Sequence, residues 1–308
     1  MALNKGRGYV AGKYGIEVDG INAGWVWSVE GGQAEADVVV EKMGPDHLQR
    51  KHIGNVKYTP IKVTCGTGMS KAFYQWIQDS FDHKHTRKNG AIVAANYDYK
   101  EHSRLTFTNA LVTEIGMPAL DAASKDAAKM TIAFDPEYCR TTTTDGGKAV
   151  GGATKADVQK KWLPANFKLR IDGMDEACSR VNKIEALVVK QKVVENAVGE
   201  LRDYEKEAAS VEIPNLVITF PESHAKCFYD WHESFVIRGE NGQDKEKGAT
   251  LEYKTPDHKE TLFTLTFSNL GIFKLTPDKV EAGNEQIRRV KAEMYCEDIK
   301  FNFQSSWA

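Results

Sequence analysis

The residues with the densest chemical potential are Asp82, His83 and His85, in the stretch DHKHTRKN. Two imidazoles and a carboxylate within four positions could begin a metal site. A closed site needs three or four ligands held by ordered elements, and no further ligand follows in this strongly polar segment. A solvated loop therefore accounts for it better than a metal centre. The other histidines are dispersed, so no Ser-His-Asp or Cys-His arrangement takes shape. Five cysteines (Cys65, Cys139, Cys178, Cys227, Cys296) are scattered without a C-x-x-C pair, which fits small buried hydrophobes made in a reducing compartment. Gly31–Gly32 and Gly146–Gly147 lie outside any phosphate-cradling pattern and read as turns or linkers. Tyr74, Trp76, Tyr229 and Trp231 could stack on bases, but their helical spacing beside Phe73 and Phe228 favours core packing. Trp25 and Trp27 share one strand face as core or interface residues. The expected sets of catalytic, cofactor-binding and metal-binding residues are all empty: no enzyme and no cofactor is expected.

The elements that must position these side chains are written twice. YTPIKVTCG (58–66), KAFYQWIQDSF (71–81) and LTFTN (105–109) return as IPNLVITFP (213–221), KCFYDWHESF (226–235) and LTFSN (265–269). Through the first two blocks the offset is constant at 155 residues (228 − 73 for the paired phenylalanines). At the third it becomes 160 (265 − 105), so the second copy carries five more residues in the intervening loop. A repeat of this length, each copy large enough for its own core, is a duplicated domain and not a solenoid.

With 308 residues the chain has room for two such domains. The boundary is expected at 141–165, where a threonine run, glycines and Pro164 argue for an exposed linker. That gives residues 1–140 as the first domain and 166–308 as the second. Each opens on a short alternating strand ending in Asp-Gly (GIEVDG, 15–20; KLRIDG, 168–173), a hairpin signal. Ile61, Val63 and Cys65 alternate with Lys62 and Thr64, and Leu216, Ile218 and Phe220 repeat the pattern, as antiparallel strands with one buried face do. One amphipathic helix per copy interrupts the strands. Ser70 is the expected N-cap of the first and Ser223 of the second, and each is too short to stand without packing on the sheet. The expected fold is mainly β (α+β): two tandem β-sandwich or half-barrel domains, each with one packed helix.

Segments 30–56 and 183–211 are long and charge-rich, and a connection of that length inside a compact domain usually contacts a partner. Charge is nearly balanced, 41 basic against 43 acidic residues, which gives no reason to expect a nucleic-acid-binding patch or an anionic membrane. No apolar stretch approaches the ~20 residues of a membrane span. The opening MALNKGRGYV lacks an apolar signal segment, so folding in the cytosol is expected.

The first copy resembles the tail tube proteins of contractile bacteriophages and related contractile injection systems. The likeness rests on Asp19–Gly20, a long arm, Lys57–Tyr58, Ile61, Val63, Gly66, Trp76 and a strand ending in Phe107 and Asn109. It covers about 15–140. The second copy keeps Asp172–Gly173, Trp231, Phe267 and Asn269 but replaces the Lys-Tyr pair and the closing glycine. The resemblance implies subunits whose sheet edges join around a ring into a wide barrel, with rings stacking into a hollow tube inside a sheath. Self-assembly, a surrounding sheath protein, and baseplate and terminator proteins are the implied partners. DNA or an effector would pass through the lumen without sequence-specific binding, and the implied place is the virion tail or an extracellular injection particle, assembled in the bacterial host cytoplasm. If single-domain relatives build six-fold rings, three copies of this chain supply six domains, a trimer with pseudo-six-fold symmetry. The rival arrangement is a hexamer with one domain decorating the outside. The alternative role is a tube-initiating or baseplate hub protein. The corresponding loop of the family reaches the next ring, which makes 30–56 and 183–211 the expected inter-ring arms.

Overall fold

In the computed structural model the described residues are 12–42, 44, 48–144, 150, 162–279 and 286–304. The first half runs β1 (Lys13–Val18), β2 (Ile21–Glu30), β3 (Ala34–Glu41), β4 (Arg50–Tyr58), β5 (Ile61–Cys65), α1 (Lys71–Phe81), β6 (Lys88–Ala95), β7 (Glu101–Met117), β8 (Leu120–Asp121), β9 (Met130–Asp135) and β10 (Tyr138–Thr143). The second runs β11 (Phe167–Ile171), α2 (Asp175–Cys178), β12 (Lys183–Ile184), β13 (Leu187–Asn196), β14 (Glu205–Glu212), β15 (Leu216–Pro221), α3 (Lys226–His232), β16 (Lys247–Lys254), β17 (Thr261–Pro277), β18 (Arg289–Tyr295) and β19 (Asp298–Phe303).

Antiparallel pairing carries β7 through β6, β1, β2, β5 and β9 back to β7, so the first half closes on itself as a small barrel. Its interior is filled by the alternating residues of the sequence pattern, including Ile16, Val63, Cys65, Phe107, Ile132 and Phe134, all essentially inaccessible. α1 packs its apolar stripe of Phe73, Tyr74, Trp76 and Ile77 against this core, with Trp76 donating to the Thr86 carbonyl at 2.9 Å. Ser70 caps it as expected, its hydroxyl accepting from the Phe73 N–H.

The second half repeats these pairings. β16 joins β11 and β17, β17 joins β18 and β19, and β15 joins β12 and β18. The repeat extends to the irregularities. The hairpins β3–β4 and β13–β14 each carry a bulge, between Ala36 and Val38 and between Gln191 and Val193, again 155 apart (191 − 36). The β7–β9 and β17–β18 ladders slip at Val112/Glu114 and Ile272/Lys274, 160 apart (272 − 112).

Four sequence expectations change. The first Asp-Gly pair makes its hairpin, with Asp19 and Gly20 both at positive φ (49° and 77°) joining β1 to β2. The second does not: Gly173 turns the chain into α2, whose first turn carries Asp175 and Glu176, so β11 and β12 are not paired and the second barrel stays open there. Ser223 does not cap the second helix. It lies in a 3-10 turn, and α3 begins at Lys226 after Ala225 with no side-chain cap. The strands do not end at F-T-N and F-S-N. Asn109 and Asn269 adopt left-handed φ (52° and 54°) and bend β7 and β17, which continue for eight more residues each to Met117 and Pro277. In the boundary segment, β10 includes Thr141–Thr143, and Trp162 is buried against Tyr253 and Phe263. Residues 145–149 and 151–161 of the expected linker lie outside the described residues.

Candidate functional site: the junction between the halves

The halves share a sheet. β13 lies along the distal part of β7, Leu187 opposite Met117, Val188 opposite Gly116, Val189 opposite Ile115 and Lys190 opposite Glu114. β8 adds a second link by pairing with β12. An edge strand of one half is thereby completed by the arm of the other, which satisfies backbone groups that would otherwise be exposed. The base of segment 183–211, expected to reach toward another ring, instead makes this lateral join. Its apolar run, Leu187 followed by the β-branched Val188 and Val189, has the right character for a strand shared between two cores.

Beyond its base the arm crosses the first half and is fastened by charge. Lys206 is only 3 % exposed, donates to Asp135, and its backbone N–H donates to Glu137 at 2.9 Å. Burial pushes the Asp135 carboxyl above its ordinary pKa against the opposing pull of Lys206. Arg87 donates both to the Lys206 carbonyl (2.8 Å) and to Glu207 (2.7 Å). Tyr58 donates to Asp203 at 2.9 Å and accepts from Arg140, whose guanidinium also stacks on the Tyr138 ring at 4.0 Å.

On the other side, α1 meets the second sheet through aromatics. Tyr74 stacks on Phe303 with centroids 5.5 Å apart and touches Phe263, and Phe81 stacks on Phe301 at 5.6 Å with a 13° interplanar angle. Gln78 donates to Asn302 across the same seam. Phe301 and Phe263 are fully buried and the cores run together without a break. Offset-stacked rings of this kind contribute ~0.5–1.5 kcal/mol each beyond their burial. Sequence reasoning identified Tyr74 as a helix-core residue but not as a contact between halves, because a helical stripe reports which face is buried and not what covers it.

The other candidates are not gathered into a site. His83 and His85 sit in a loop at positive φ with rings 6.4 Å apart, and His83 faces Asp298 at 3.6 Å. Among the described residues no group of three or more His, Cys, Asp or Glu side chains could hold a metal ion. Trp25 packs edge-on to Tyr99, while Trp27 is 64 % exposed beneath Lys129. Together they line an open cleft of about 960 Å³ beside Thr67 and Trp162. No helix of the described residues is long and apolar enough to cross a membrane.

Residues 10–140 match the family described as T4-like virus tail tube protein gp19. The match falls on the first half, the part that carries the closed barrel. No curated protein sequence matches the chain. Among solved structures, similarity extends to a chain of the PVC extracellular contractile injection system sheath-tube complex in the extended state (16 % identity, 45 % of this chain and 89 % of that one, TM-score 0.36). It extends also to the tube-terminating cap of the anti-feeding prophage (15 %, 49 % and 97 %, 0.38) and to Hcp1 from E. coli EAEC 042 (12 %, 46 % and 92 %, 0.27). Each overlap spans less than half of the chain, and the likeness to the tail tube family rests on the match over residues 10–140. The family that residues 10–140 match is a structural one.

Proposed function

We propose that the chain is a tail tube subunit that closes rings as a trimer of pseudo-six-fold symmetry. The observation that carries this is the β7–β13 junction. Within one chain, the arm of the second repeat completes the sheet of the first. The same two parts remain unused at the chain's other ends: β3–β4 stands as a separate two-stranded hairpin, and among the described residues the distal part of β17 has β18 on one edge and no strand on the other. A head-to-tail contact that reuses one geometry generates a ring when the rotation closes. Single-domain relatives with six-fold rings would need six subunits, and this chain would need three.

Along their length the arms keep Val38, Ile53, Val194 and Leu201 exposed, which suits a contact with the ring above or below. The proposed setting is a phage tail or extracellular injection particle assembled in the bacterial cytoplasm. A sheath protein, baseplate and terminator would be its partners, and DNA or an effector its cargo. Cryo-electron microscopy of purified particles is the test. Three-fold density with six similar inner lobes per ring is expected; true six-fold density with an outer shell of second domains overturns the trimer. One ring per particle, counted by quantitative mass spectrometry, would make the chain an initiator of the tube instead of its body.

A further inference from the structure

Resting on the ring reading above, we infer that the joint between chains places Glu35 opposite Lys274 of the neighbouring copy, a charge polarity opposite to that of the joint within the chain. The partner is therefore a second copy of this chain, added in one order only.

The register follows from the internal repeat. The arms superimpose at 155 residues and the long strands at 160, with bulges coinciding in both. Carrying the β7–β13 pairs across sets Gln33 against Thr276, Ala34 against Leu275 and Glu35 against Lys274. The ladder ends at Gly32, which has left-handed φ (78°), and at Pro277, which has no N–H to give.

The charges then alternate along each row. Inside the chain, Glu114 faces Lys190, and Lys190 faces Glu212 across the arm. At the joint between chains, Lys274 would face Glu35, and Glu35 faces Lys57 across its arm. Every sign is inverted. Glu114 also reaches Lys62 (3.0 Å) and Lys274 reaches Glu293 (2.8 Å), so each strand edge presents a charge already flanked by its opposite. Lys57 likewise reaches Asp37 and Glu195. The wrong arm on either strand would set Glu35 against Glu114 or Lys190 against Lys274. Like charges directly opposite are destabilising, and this discriminates against a first half binding another first half.

The helix seam supports the same placement. The positions on α3 and the turn after it that correspond to Tyr74 and Phe81 are Tyr229 and Val236, which are 38 % and 44 % exposed where their counterparts are buried. The surface they would meet on a neighbour carries exposed Thr141 and Thr143 where the seam within the chain has Phe301 and Phe303. The joint between chains is thus continuous with the internal one but less aromatic, as befits a contact made on assembly.

Cysteine pairs in the full chain test the register. Ala34→Cys with Leu275→Cys, oxidised with diamide after assembly, should run as a covalent trimer on a non-reducing gel. Ala34→Cys with Thr276→Cys should not, because a one-residue slip turns the side chain to the other face. Rings or tubes that form without the 34–275 bridge, or that bridge 34 to 276, overturn the inference and leave the tube reading standing. No assembly from the unaltered chain overturns both. Charge is tested separately. E35K, folded by circular dichroism, should weaken each joint about three- to fivefold, compounding over three joints, and E35K with K274E should restore assembly. Unimpaired assembly of E35K overturns the polarity.

Discussion

Asn109 shows how a single residue type sets the path of a long strand. Its φ of 52° lies where most side chains clash, and its amide donates to Glu137 at 2.7 Å; Asn269 and Glu297 repeat the arrangement at 2.6 Å. Asn109→Val should therefore destabilise the fold by ~1–3 kcal/mol, while Asn109→Gly should cost well under half of that, as read from urea unfolding midpoints. The thiols make a second residue-scale prediction. Burial pushes Cys65, Cys178 and Cys296 from 9.0 up to about 12. A thiol with a raised folded pKa favours folding fully below pH 9 and loses that contribution as pH climbs toward 12. Stability should decline through that alkaline window, and Cys227, the half-buried thiol, should be the first to react with a disulfide reagent at pH 8. Rapid labelling of all five in the native protein would contradict this.

At the scale of elements, the arm β13–β14 and the helix α1 do the joining. Lys206 is enclosed with Asp135, so removing one partner strands a buried charge. Asp135→Asn should cost ~3–5 kcal/mol, whereas neutralising the exposed pair Lys226–Asp230 should leave the melting temperature essentially unchanged; thermal melts distinguish the two. Phe301→Ala would open a cavity under Phe81 and Phe263 and should cost ~3–5 kcal/mol. If it cost no more than a surface change, the helix seam would not be a true part of the core.

For the whole molecule, the shared sheet and continuous aromatic seam predict one cooperative unfolding transition instead of one per repeat. Calorimetry should give matching calorimetric and van't Hoff enthalpies; two resolved transitions would mean that the halves stand independently. The ring proposal belongs to this scale too, because it asks each end of the chain to repeat a joint already made in its middle.

The strand alternation around Ile61 and Leu216, the helix stripe of Phe73 and Trp76, the Ser70 cap and the duplication were legible in the residues, since periodicity and local hydrogen bonding act over a few positions. The tail tube resemblance was legible as well, and residues 10–140 bear it out. What covers those faces was not. Phe301 lies 220 residues beyond Phe81 (301 − 81), and no local rule links them; only folding brings them into a stacked pair. The second Asp-Gly turn misled because the same dipeptide serves a hairpin or a helix entry, and the residues packed around it choose. Lys206 read as one more charge in a polar arm until tertiary packing enclosed it. Sequence determined the building block and its repetition, while tertiary structure decided how one block completes the next, because strand edges are backbone groups whose partners no side-chain pattern specifies.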